Sequence, residues 1–147
     1  MQRYNKLENN LYSAELLYGK IELKPTHRFS CFLIVEHTFD VDFIKDQAIQ
    51  LFLAGCQSFD FYGKAEPNWH LGVDEANILL HSKSNPETDV LTSGWSILEE
   101  FADALNSVLS LRTFVPHDVY LIYDDEEIYK NVMKRLGIPV EEFFKIY

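Results

Sequence analysis

Cysteine is nearly missing from this sequence. Of 147 residues only two are cysteine, Cys31 inside an apolar run and Cys56 behind a glycine, and each reads as a small reduced core residue. A disulfide-stapled scaffold is thereby excluded. Five prolines and six glycines, with no internal repeat, low-complexity tract or Ser/Gly linker, exclude collagen-like, solenoid and multidomain arrangements. No apolar stretch approaches the roughly 20 residues that span a bilayer. The N-terminus also lacks the basic start and apolar core of a secretory signal, so a cytoplasmic protein without a membrane partner is expected. Positive charge is scarce as well. Thirteen Lys and Arg face 23 Asp and Glu, and the net charge of −10 opposes binding to nucleic acid phosphates or anionic lipid. There is no Walker loop, no G-x-G-x-x-G and no G-x-S-x-G elbow, so a nucleotide or other cofactor is not expected.

What the chain does have is 47% hydrophobic and 14% aromatic residues, enough for one core. Their periodicity alternates between that of strands and that of helices. Phe29–Val35, FSCFLIV, is the near-continuous apolar run of a strand buried on both faces. In the segment that follows, Val41, Ile44, Ala48, Leu51 and Phe52 recur at helical spacing, with Asp40 or Asp42 as cap and Gly55 as stop. Ser58–Tyr62 alternates as a second strand, and Trp69–His81 reads as a helix with Val73, Ala76 and Leu80 on one face. A third strand is expected at DVLTS, followed by a helix behind a Ser96/Glu99 capping box. A fourth strand spans Asp118–Tyr123. Beyond it, the DDEE run at 124–127 places acidic groups at the positive end of a helix lined by Ile128, Val132 and Leu136 and ended by Gly137 and Pro139.

This βαβα spacing predicts a single Rossmann-like α/β domain over residues 1–147, three layers deep, with a mostly parallel sheet of four to five strands. Residues 1–28 form an N-terminal extension in which KIELK, 20–24, is a candidate edge strand, LYSAELLY is helix or strand, and the terminal VEEFFKIY is a short helix or docked tail.

Ligands of open α/β sheets bind beyond the carboxyl ends of the strands. Those ends carry Glu36 and His37, then Gly63 and Lys64, then Thr92, Ser93, Gly94 and Trp95, and finally Asp124 and Asp125. Glu36 with Asp124 and Glu126 loosely resembles the TOPRIM nuclease pattern, in which a glutamate after one strand and a D-x-D after another hold Mg²⁺. On that view Glu36, His37, Asp124 and Asp125 form a metal-dependent hydrolytic site, although helix capping also accounts for DDEE. His70 and Asp74 stand four apart but lack a third ligand, so no metal centre is assigned. Trp69 and Trp95 each follow a strand by a few polar residues and read either as a partly exposed aromatic pair or as a lid over the sheet end.

The motif order is also informative. A strand ending in V-E, a helix ending in A-G-C at 54–56, an aromatic strand ending in Gly63, WHLGVDEAN at 69–77 and LTSGWS at 91–96 resemble a family of small bacterial proteins known only as a domain of unknown function. The resemblance covers about Phe29 to Tyr123 and implies the fold without implying an activity. The family pattern has acidic residues after the tryptophan and a Thr-Trp pair near the third strand. Here His70 and Leu71 follow Trp69, and Gly94 stands between Ser93 and Trp95. Small size, strong negative charge and the missing catalytic motifs together favour a non-enzymatic binding module of immunity or antitoxin type. It is expected to meet a basic protein through Trp69, Asp74, Glu75 and Trp95.

Overall fold

A computed structural model describes residues 4–8, 10–16, 21, 23, 28–81, 91–111 and 117–139. The elements run β1 (Tyr4–Glu8), β2 (Leu11–Glu15), β3 (Phe29–Ile34), α1 (Val41–Ala54), β4 (Cys56–Tyr62), α2 (Glu66–His81), β5 (Leu91–Trp95), α3 (Leu98–Leu111), β6 (Asp118–Tyr123) and α4 (Glu126–Leu136). They build one six-stranded sheet in the order β1-β2-β6-β3-β4-β5. Five strands are parallel and β1 alone pairs antiparallel, with β2. The Rossmann-like α/β architecture implied by the spacing is the one observed.

The two central strands, β3 and β6, are buried at every position, in keeping with their near-continuous apolar runs. Alternate residues along them serve opposite cores. On one face Cys31, Leu33, Phe59 and Phe61 pack with Ile44, Leu51, Trp69 and Val73 of α1 and α2. On the other, Phe32, Ile34, Leu121 and Val119 pack with Phe101 and Leu105 of α3 and Tyr129 and Val132 of α4. Cys31 and Cys56 are free and buried. Among the described residues no helix is long and apolar enough to cross a membrane.

At the sheet edge and the helix starts the structure departs from the sequence expectations or chooses between them. The N-terminal edge of the sheet is the β1–β2 hairpin, which turns through Asn10 at positive φ; LYSAE is strand, and of KIELK only residues 21 and 23 are described, neither of them strand. The terminal segment VEEFFKIY lies outside the described residues. Helix α2 opens at Glu66, with Pro67 in its first turn, where a missing N–H is harmless. Helix α3 opens at Leu98, and its first bond runs from Phe101 N–H to Ile97 C=O. Ile97, not Ser96, therefore holds the cap position. The buried stripe of α4 is Tyr129, Val132 and Met133, with Ile128 and Leu136 at its margins.

The expected caps hold elsewhere. Asp40 accepts from Asp42 N–H at 2.8 Å to open α1, and Asp125 accepts from Ile128 N–H at 2.9 Å to open α4. Gly55 and Gly137 end these two helices in left-handed conformation.

Candidate functional site

Adjacent strands β3 and β6 send their following helices to opposite faces, since α1 belongs to one core and α4 to the other. Such a switch point is where a doubly wound sheet opens a crevice. Glu36, His37, Asp124 and Asp125 do lie there, and the structure brings three of them together. Asp124 Oδ1 accepts from Glu36 N–H at 2.8 Å and its Oδ2 from His37 N–H at 3.0 Å, so one carboxylate ties the two diverging loops. Burial nonetheless pushes the Asp124 pKa up, against the lowering effect of these two bonds. Glu36 Oε2 in turn accepts from Lys64 N–H at 2.6 Å. Gly63 makes that approach feasible: its φ is +126°, and a Cβ there would overlap the Val35 carbonyl. Asp125 is spent on the α4 cap and the His37 residue is exposed. Chemically, this edge is a set of carboxylates already holding backbone N–H groups.

A second polar cluster sits where α2 crosses β5. Glu66, His70 and Asp74 follow one another at i, i+4 and i+8 along the helix. His70 Nδ1 is 2.9 Å from Glu66 Oε1, and its Nε2 is 3.2 Å from Thr92 Oγ1 and 3.5 Å from Asp74 Oδ2. Thr92 donates to Asp74 Oδ1 at 2.8 Å. The two carboxylates approach opposite ring nitrogens, so neither nitrogen is left for a metal. Among the described residues no three His, Cys, Asp or Glu side chains are gathered as a metal-binding set. The Thr92 proton goes to Asp74 and not to the imidazole, unlike the hydroxyl of a nucleophile activated by its base. The cluster is a clasp between helix and edge strand. Gly94 is part of it, because a Cβ there would displace the Glu66 carboxylate.

The opposite face of β5 is fixed separately: Trp95 Nε1–H donates to Asp60 Oδ1 at 2.9 Å. Burial raises the Asp60 pKa, partly offset by that bond. Thr92 to Trp95, expected at the carboxyl end of the third strand, lie inside β5, and Thr92 and Trp95 hold it from both sides.

No protein-family model matches the chain, and no curated protein matches its sequence. The resemblance drawn from the motif order thus rests on those motifs alone.

Of the four residues expected to meet a partner, Trp69 is misplaced. It is 1% exposed, seated in the core against Phe39 with ring centroids 5.9 Å apart, because it stands four and seven residues before Val73 and Ala76 on the buried stripe of α2. Trp95 is partly buried, Asp74 is half-exposed in the clasp and Glu75 is exposed. The outer side of α2 instead presents Leu71, Glu75, Ile78 and Leu79, at a spacing that places them on one face, with Ile78 68% and Leu79 61% exposed. Leu91, the first residue of β5, is 75% exposed. Charge accompanies this apolar surface. By sequence, residues 66–111 contain eight acidic residues and one basic residue, Lys83, or −7 of the net −10; Glu66, Asp74 and Glu75 are on α2, and Glu99, Glu100 and Asp103 are on α3, across the sheet. Sequence reasoning passed over Ile78, Leu79 and Leu91. For Ile78 and Leu79 the signal was available as apolar residues off the 69–73–76 stripe of α2.

It also missed a relay at the amino ends of the strands, where Ser58 Oγ donates to Ser30 Oγ at 2.8 Å and Ser30 Oγ lies 2.8 Å from His117 Nε2. Ser30 and Ser58 are in register across β3 and β4, which a strand alignment alone would have paired.

Proposed function

We propose that this protein is a non-catalytic, acidic protein-binding module that captures and neutralises a basic protein, in the manner of immunity and antitoxin proteins, from the side of the sheet bounded by α2 and β5. The observation that carries the reading is the exposed apolar face of α2, Leu71, Ile78 and Leu79, with acidic Glu75 on the same face. Apolar groups supply contact area, while the surrounding charge steers a basic partner and rejects acidic ones. The alternative, a metal-dependent hydrolase at the β3/β6 switch point, has weaker support. Its carboxylates Glu36, Asp124 and Asp125 already accept backbone N–H bonds, which a metal would have to displace.

The test is recovery of the tagged protein from its source cells at low and high salt, with intact complexes weighed by native mass spectrometry. A stoichiometric basic partner that is released at high salt, and lost from an Ile78→Asp variant, is expected. Recovery of the protein alone at both salt concentrations overturns the reading, and so does a partner indifferent to salt and to Ile78→Asp.

A further inference from the structure

The two edges of the sheet are built differently. The outer strand at one end, β1, has the sequence YNKLE, is antiparallel, and its pairing register shifts between Lys6 and Glu8. Irregularity of this kind is how natural sheets discourage further pairing. The other outer strand, β5, reads LTSGW: it contains no charge and no proline, and its register with β4 is unbroken from Leu91 to Trp95. Among the described residues no strand pairs with its outer side. A regular parallel strand turns alternate N–H and C=O groups outward, so this edge is a template for one more strand.

The edge is also held in place. Thr92 is bonded to Asp74 and His70 on the α2 side, and Trp95 to Asp60 on the other, so β5 is fixed from both faces by side chains that span to neighbouring elements. A strand held this way gives up little freedom when another is added to it, which is the advantage of a preorganised site.

We infer that the open edge of β5 receives an extended, basic segment of the partner as a seventh strand. The inference rests on the binding-module reading above and specifies its mode. Charge decides between candidate occupants. A second copy pairing β5 to β5 would bring together two edges flanked by α2 and α3, each with three acidic residues and no Lys or Arg, whereas a Lys- or Arg-bearing strand would be drawn to one. The main chain of the added strand supplies affinity, and Leu91 at the amino end of β5 offers an apolar contact to its side chains.

The experiment uses the intact chain and a synthetic peptide of about eight alternating Lys and Val residues, long enough to run the length of a strand. A second peptide of the same sequence carries N-methyl groups on alternate amides, which keep the charge and side chains but remove ladder donors. Hydrogen exchange of the amides at 91–95 is expected to slow about tenfold or more with the first peptide and not with the second, as backbone pairing demands. Leu91→Lys, at an exposed position that should not disturb folding, is expected to weaken peptide binding at least about tenfold by blunting the edge.

Equal binding of both peptides, or unchanged exchange at β5, overturns strand addition. Protection at 91–95 that rises with protein concentration and without peptide shows that a second copy takes the edge, and overturns it also. If the peptide fails while the cellular partner remains sensitive to salt and Ile78→Asp, the binding module stands and strand addition falls. If partner capture fails too, both fall.

Discussion

Asp60 is where strand pattern and chemistry conflict most. It lies in β4 between the core residues Phe59 and Phe61, and its carboxylate is held against the Trp95 indole. Burial raises its pKa more than the indole bond lowers it, so the ionised form is the one the fold tolerates poorly. An acid whose folded pKa exceeds its unfolded value withdraws stability as pH rises through the interval between the two. Asp60→Asn keeps an oxygen for the indole N–H and removes the charge. The variant is expected to be more stable than wild type at neutral pH, and the gain to shrink towards zero as pH falls below the ordinary carboxylate range. Urea unfolding at several values between about pH 4 and pH 7 measures this; a gain that grew towards acid would contradict it. Gly63 gives a second prediction. With φ at +126° and the Val35 carbonyl against its Cα, Gly63→Ala is expected to cost about 3 kcal/mol, the upper end of backbone strain, measured by thermal or urea unfolding.

At the scale of elements, the clasp explains why a five-residue edge strand stays in register. Thr92→Val preserves shape and removes the hydroxyl that links His70 and Asp74, so it is expected to cost about 1 kcal/mol, since the half-exposed carboxylate can rehydrate. The amides of β5 should then exchange faster than those of β4, whereas a purely global loss would quicken both. How far these elements were legible depended on burial. The β3 and β6 runs declare themselves because every position is apolar-facing, and the β6 bounds coincide with the expected ones. The hairpin β1–β2 did not, because short strands with interspersed Asn, Lys, Glu and Ser have no apolar run and owe their conformation to pairing, β1 with β2 and β2 with β6. Trp69 was misread for a related reason. Pro67 and Gly72 weaken the local helix signal, so the 69–73–76 spacing that puts Trp69 on the buried stripe carried little weight. The switch-point residues were found because chain order alone determines strand ends, but that Asp124 would grip the Glu36 and His37 amides depends on loop geometry with no sequence signal.

For the whole molecule, the same charge that recommends a basic partner burdens the free chain. With −7 of −10 in residues 66–111, and three acidic residues but no Lys or Arg on each of α2 and α3, like charges repel one another along these helices. Adding salt shortens the reach of that repulsion from about 30 Å at 0.01 M to about 8 Å at 0.15 M. The isolated protein is therefore expected to unfold at a higher temperature as NaCl is raised over that range. Affinity for the basic partner should move the other way, because screening removes the attraction that draws the two together. Since a ligand that binds only the folded state stabilises it by mass action, the complex should show its largest gain in unfolding temperature over the free chain at low salt. Calorimetry of the free and bound protein across a salt series checks both signs in one experiment. A free chain whose stability fell with added salt would mean that the acidic side is already neutralised within the fold. The charge would then be a solubilising surface, and a basic partner would gain nothing from approaching it.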